Sequence, residues 1–170
     1  GHFRGEEEMQ EYIEIIARNA EFLKTVSSQT FYLTYVERMT EPLSLDWVSL
    51  SWLYAGLLHL NRFAFRKRNI EFVLSGDMTL ELFIDRNLML NGLQMIVDNA
   101  IKFSDDNKRI WFRVDPILGG DIIIEVEDEG SGIAPDEIPF IWELNFRGRS
   151  SIEKRLIGTG IGLNVARRIV

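Results

Sequence analysis

The first chemical signal in this sequence is the stretch Gly158-Thr-Gly-Ile-Gly-Leu163, which runs into Asn164-Val-Ala-Arg-Arg-Ile-Val170. Three glycines alternate with Thr159, Ile161 and Leu163, and a helical pattern follows. Glycine lets the backbone approach a ligand closely and adopt positive φ. A helix that starts after such a turn points unbonded N–H groups, and the positive end of its dipole, at whatever lies there. A phosphate suits that position. A plain tight turn would read the same way, so the meaning of the stretch depends on what the rest of the chain supplies.

Three other stretches carry matching chemistry. In Asp98-Asn-Ala-Ile-Lys-Phe-Ser104, Asn99 and Lys102 are three apart and share a helical face. An amide oxygen can ligate Mg²⁺ and an ammonium can meet phosphate. Taken singly, each reads better as a polar surface residue. In Asp128-Glu-Gly-Ser-Gly-Ile133, an aspartate at a strand end precedes two glycines. Its carboxylate can accept from an exocyclic amine on a flat ligand; the alternative is an acidic β-turn. The third, Ile138-Pro-Phe-Ile-Trp-Glu-Leu-Asn-Phe-Arg-Gly-Arg149, continues as a polar run to Leu156. Little regular structure is expected between Gly132 and Gly158, and irregular segments of that length are usually functional lids or disordered. Arg147, Arg149, Lys154 and Arg155 make this one basic, which suits closure over phosphates.

These residues need elements to position them. Glu6 to Arg38 contains no proline or glycine, and Met9, Ile13, Ile16, Ala20 and Leu23 recur at helical spacing. Glu6, Glu7 and Glu8 are expected in the first turn of that helix. Its wide apolar face suits either packing on its own domain or a dimerising bundle. Pro42 disfavours helix at Glu41, so the boundary falls there: residues 1–41 form a helix and 42–170 a domain. Leu43–Trp47 alternates as a short strand. Ser49 caps a helix from Leu50 to about Arg66, with Arg66, Lys67 and Arg68 as capping and solvated surface. Ile70–Leu74 and Leu80–Ile84 are strands joined by a turn. Asp85 opens a second long helix, Arg86 to Phe103, and Arg109–Val114 pairs with Asp121–Val126 as a hairpin. This order predicts an α/β sandwich, with helices on one face of a mixed sheet.

Bulk properties narrow the classes. The chain has 170 residues, 46% of them hydrophobic, enough for one domain and a helical appendage. A net charge of −7 argues against a general nucleic-acid binder. There is no cysteine, and His2 and His59 are the only histidines, so thiolate and multi-histidine metal sites are not expected. No apolar run is long enough to span a membrane. The acidic N-terminal run has the wrong polarity for a signal peptide.

In order and spacing, the four stretches resemble the N, G1, F and G2 boxes of the ATP-binding domain of sensor histidine kinases. That superfamily is shared with gyrase and the heat-shock chaperone ATPases. The resemblance covers about Leu43 to Val170. It implies a two-layer α/β sandwich of the Bergerat type, preceded here by a long helix similar to the second dimerisation helix of the kinases. It implies that Asn99 holds Mg²⁺, that Lys102 touches the phosphates of ATP and that Asp128 accepts from the adenine amino group. Gly130 and Gly132 would shape the adenine pocket, with Phe103 and Ile133 beside them. Gly158, Thr159, Gly160, Ile161, Gly162 and Leu163 would form the phosphate turn and begin its helix, and the basic segment with Arg147 would be the lid. A response regulator, a homodimer through the first helix and a cytoplasmic location, with the parent protein membrane-anchored or not, follow from the same resemblance.

Four departures qualify it. Met95 stands where the kinases usually carry a second asparagine, and a thioether is a poor Mg²⁺ ligand. In the F box, Trp142 replaces phenylalanine and Asn145 a second aromatic. No phosphoacceptor motif surrounds His2. The family continues into two further strands past the position of Val170, so the domain is expected to lack its last strands. Three readings therefore stay open. In the first, a kinase core passes the γ-phosphoryl of ATP to a histidine outside this chain. In the second, a nucleotide-binding or dimerising module has lost turnover. The third is an ATPase of the gyrase or chaperone branch, disfavoured because that branch carries a general-base glutamate where this chain has Met95.

Overall fold

A 36-residue helix, α1 (His2–Glu37), leads the chain. The computed structural model describes residues 2–38, 42–117, 119–154 and 156–170. The boundary expected at Glu41 and the basic residue Arg155 lie outside the described residues. Because α1 starts at His2, Glu6, Glu7 and Glu8 fall in its second turn rather than its first, as Gly5 does not stop the helix.

The remaining elements follow the order expected from periodicity. They are β1 (Leu45–Ser49), α2 (Leu50–Arg68), β2 (Glu71–Gly76), β3 (Glu81–Asp85), α3 (Arg86–Phe103), β4 (Arg109–Pro116), β5 (Ile122–Asp128), α4 (Arg149–Glu153) and α5 (Gly162–Ile169). Local chemistry fixes the helix ends. The Ser49 hydroxyl accepts from Trp52 N at the start of α2, and Asn69 closes it in a left-handed conformation with φ 49°. The Asp85 carboxylate accepts from Asn87 N and Leu88 N at 3.1 Å each, capping α3. Of the three basic residues ending α2, Arg68 reaches across to α3, donating to Ile101 O and, at 2.6 Å, to Ser104 O. It thus covers carbonyls that the end of α3 leaves unpaired.

The mixed sheet is realised as β2-β4-β5, with β2 and β4 parallel and β4 and β5 antiparallel. The turn after β2 does not make a hairpin. β3 instead pairs antiparallel with β1, setting Trp47 opposite Phe83. The inward residues of β4, Ile110, Phe112 and Val114, are fully buried against Leu53 and Leu57 of α2 and Val97 of α3. Each such side chain contributes about 1.5–3 kcal/mol by leaving water. Phe72 stacks between Phe65 and Tyr54 at 5.0 Å from each, and the Tyr54 hydroxyl donates to Phe72 O.

A second, smaller core lies on the other side of α3. Met95, Val165 and Ala166 are buried there, with Tyr32 and Leu33 of α1 and Ile96, Ile161 and Ile169 packed against them. This core fastens α1 and α5 to α3, and Arg168 of α5 adds an ion pair to Glu37 of α1 at 3.3 Å. Further toward the N-terminus of α1, Met9, Tyr12, Ile13, Ile16 and Leu23 stay exposed. No helix among the described residues is long and apolar enough to cross a membrane.

Candidate functional site

A cavity of about 390 Å³ opens between α3, α5, the end of β5, the segment after it and α1. Helical spacing on α3 supplies one wall. Asp98, Asn99, Lys102 and Phe103 all line it, with Met95 one turn earlier. Asp128, Gly132 and Ile133 line a second side, Arg147 a third, and Gly158, Thr159, Gly160, Gly162 and Leu163 a fourth.

Two expected residues do not line the cavity. Gly130 lies behind it, because its N–H donates to Asp128 Oδ1 at 2.8 Å. A Cβ there would stand 2.7 Å from Phe103 O, so the absent side chain lets the loop close on the end of α3. Ile161 turns into the smaller core beside Met95. The helix α5 begins at Gly162, one residue before Leu163.

The glycine turn is built around a close approach. Lys102 Nζ lies 2.3 Å from where a Cβ on Gly158 would stand, so any other residue would displace the ammonium. Gly160 takes φ +72°, and a Cβ there would meet Asn145 C at 2.6 Å. Asn145 N donates to Gly160 O at 2.9 Å while Asn145 itself sits at φ 64°. That left-handed conformation explains an asparagine at a position where an aromatic was expected. Trp142 docks the same segment on α5: its carbonyl accepts from Asn164 Nδ2 at 2.7 Å, and the Arg167 guanidinium stands over its ring.

The segment between Gly132 and Gly158 is more ordered than its sequence suggests. It holds a 3₁₀ turn at Ile138–Phe140 and the short α4. Of its basic residues, only Arg147 is among the cavity-lining residues described. Arg149 is turned away by Asp136 and Glu137, at 2.6 and 3.1 Å, and Lys154 is exposed. Arg147 is braced by Leu156 O at 2.6 Å and faces Lys102. Burial, and then the charge of Arg147, hold the Lys102 ammonium below the usual lysine range.

Sequence reasoning missed Glu21, Thr25 and Gln29 of α1, which form the remaining wall. Their i, i+4, i+8 spacing marks one helical face, but nothing local says what that face meets. Asp98 keeps solvent contact across the cavity, yet the protein around it desolvates its carboxyl and pushes its pKa up to about 6. The hydrogen bond from Gln94 Nε2 at 2.7 Å opposes that rise, the Glu21 charge adds to it and Lys24 offsets part. No group of three or more His, Cys, Asp or Glu side chains is placed to hold a metal among the described residues.

Residues 84–170 match the family of histidine kinase-, DNA gyrase B- and HSP90-like ATPases. Sensor histidine kinase WalK of Bacillus subtilis is 29% identical over 116 residues, covering 66% of this chain and 19% of that protein. The aerobic respiration control sensor protein ArcB of Escherichia coli is 27% identical over 165 residues, 95% of this chain and 21% of that protein. The chain thus spans about a fifth of the length of these relatives. Full-length ShkA in complex with AMPPNP shares the fold with a TM-score of 0.75 at 20% identity, over 94% of this chain and 33% of that one. Histidine kinase ThkA in complex with the response regulator TrrA does so with a TM-score of 0.70 at 22% identity, over 94% and 43%.

The Asp98 environment makes stability depend on pH. Its folded pKa lies above the unfolded value of about 3.9, so its contribution is full below that value and lost as pH rises through about 6. Asp98→Asn removes the ionisation and keeps an acceptor for Gln94. In magnesium-free buffer, the variant should gain roughly 1 kcal/mol on the wild type between pH 4 and pH 7.5, a figure reduced for solvent screening. Denaturant titrations at both pH values check this. A difference that stays constant with pH would contradict the assignment.

Proposed function

This chain belongs to the family of histidine kinase-, DNA gyrase B- and HSP90-like ATPases, as a catalytic domain of the two-component sensor kinase type, and we propose that it binds ATP in the α3–α5 cavity and presents the γ-phosphoryl to a histidine outside the chain. The supporting observation is a single cavity lined by Asp128, by Asn99 and Lys102, and by the glycine turn. Asp128 accepts from the adenine amino group, held by its bond from Gly130 N. The glycine turn and the N-terminus of α5 offer backbone N–H groups to phosphate. Lys102 and Arg147 offset the phosphate charge, which also relieves the repulsion between them. Ile141 and Phe146 line the site on the lid side. Phosphoryl transfer relies on such positioning and charge neutralisation more than on covalent chemistry by the protein.

Asn99 would offer its amide oxygen to Mg²⁺, and a bound ion would add charge neutralisation on the phosphates. Met95 offers it nothing: it is 8% exposed and packed with Val165 and Ala166. The lack of a hard oxygen ligand at this position motivates a second reading, a module that binds nucleotide without turnover. We further propose a response regulator as partner, a cytoplasmic location and self-association through the exposed α1 residues around Ile13 and Ile16. We read the helix as a dimerisation element and the unit from residue 42 onward as the catalytic part.

Three measurements address these readings. Asp128→Asn should weaken ATP binding by about 1.5–3 kcal/mol in calorimetry, the range for a hydrogen bond to a charged group. Unchanged affinity in a folded variant would remove Asp128 from adenine recognition. Mg²⁺ that strengthens ATP binding, with label passing to an added acceptor fragment, supports the kinase; Mg²⁺-independent binding without transfer supports the second reading. In sedimentation, the chain should self-associate as concentration rises, and Ile16→Asp should suppress this. A wild-type chain that stays monomeric would rule out the α1 contact.

A further inference from the structure

The wall formed by α1 is the part of the cavity that the family boxes leave unexplained. Gln29 stands at its phosphate-turn end, 130 positions from Thr159 in sequence. A chain of hydrogen bonds orients its amide. Ile161 N donates to Thr159 Oγ1 at 3.1 Å. The Thr159 hydroxyl in turn donates to Gln29 Oε1. The amide nitrogen is thereby turned toward the start of α5. Nε2 lies 3.1 Å from the point where a Cβ on Gly162 would stand, so the glycine leaves the room that the amide occupies. Among the described residues no acceptor takes either hydrogen of that nitrogen.

We propose that Gln29 is a phosphate-binding residue contributed by α1, its Nε2 donating to a non-bridging oxygen of the bound nucleotide's polyphosphate. The inference rests on the nucleotide reading above. It makes α1 a part of the binding site rather than only a neighbour of it. Positive charge from Lys102 and Arg147, the dipole end of α5 and the Gln29 donor then converge on one region from three directions. The docking of α1 and the binding of polyphosphate must also be linked, each strengthening the other by the same factor. A helix that projects an exposed apolar face elsewhere along its length thus carries news of its own position into the site.

The test separates the donor from the turn it braces. Gln29→Glu keeps an oxygen for the Thr159 hydroxyl but replaces the N–H donors with a negative oxygen. Gln29→Ala removes both. Binding of ATP and of adenosine to the full chain is measured for each variant. Expected is a loss of ATP affinity of roughly tenfold in Gln29→Ala and a larger loss in Gln29→Glu, with adenosine affinity unchanged in both. Gln29→Glu binding ATP as the wild type does would overturn the inference, leaving Gln29 a brace for the turn. So would equal losses for ATP and adenosine, or tighter ATP binding by either variant, which would make α1 an obstruction. A wild-type chain that binds no ATP would overturn the nucleotide reading and this inference together.

Discussion

Two cations, Lys102 and Arg147, face one cavity, and among the described residues no carboxylate pairs with either. The Lys102 ammonium is half-desolvated, pressed against the glycine turn and set over the Phe103 ring, while Arg147 is held by the carbonyl of Leu156 and the hydroxyl of Ser151. None of these partners carries charge. Burial and the charge of Arg147 both disfavour the charged form of Lys102, and a bound anion would offset this. The surrounding structure keeps the two charges there: the buried seam of α3 against the sheet, the glycine at 158 that admits the ammonium, and the lid segment tied to Gly160 through Asn145.

The helix α3 makes this possible by having three faces. Leu93, Val97, Ala100 and Ile101 pack on the sheet, Met95 packs toward α1 and α5, and Asp98, Asn99 and Lys102 look into the cavity. A rotation of the helix would bury the polar stripe and expose the core. The Asp85 cap and the Arg68 bonds at the far end hold it in register. Burial of Met95 is therefore part of how the site is held, and its thioether has a structural reason that a metal-centred view of the position lacks.

Much of this was legible in the sequence because it is local. Capping by Ser49 and Asp85, the alternation of β4 and β5, the Asn99–Lys102 spacing and the glycine turn each depend on residues within a few positions of one another. What was missed depends on distant partners. Strand alternation gives no information on whether β3 pairs with β2 or β1. The glycine at 130 looked like part of a pocket, but the backbone of Phe103 explains it. Arg149 belongs to a basic run that suits phosphates, but Asp136 and Glu137 pair with it. The contribution of α1 was hidden most deeply. Gln29 is an ordinary polar residue on a helix, and only the fold brings it to Thr159.

The central claim is that one nucleotide engages the α3 stripe, the end of β5, the lid and α1 together. Amide hydrogen exchange with and without a saturating non-hydrolysable ATP analogue tests it most directly. Slower exchange is expected on analogue binding in residues 134–157 and in the turn at 158–163, and also in α1 around residues 21–29. Exchange unchanged in all of these segments at saturation would contradict the account.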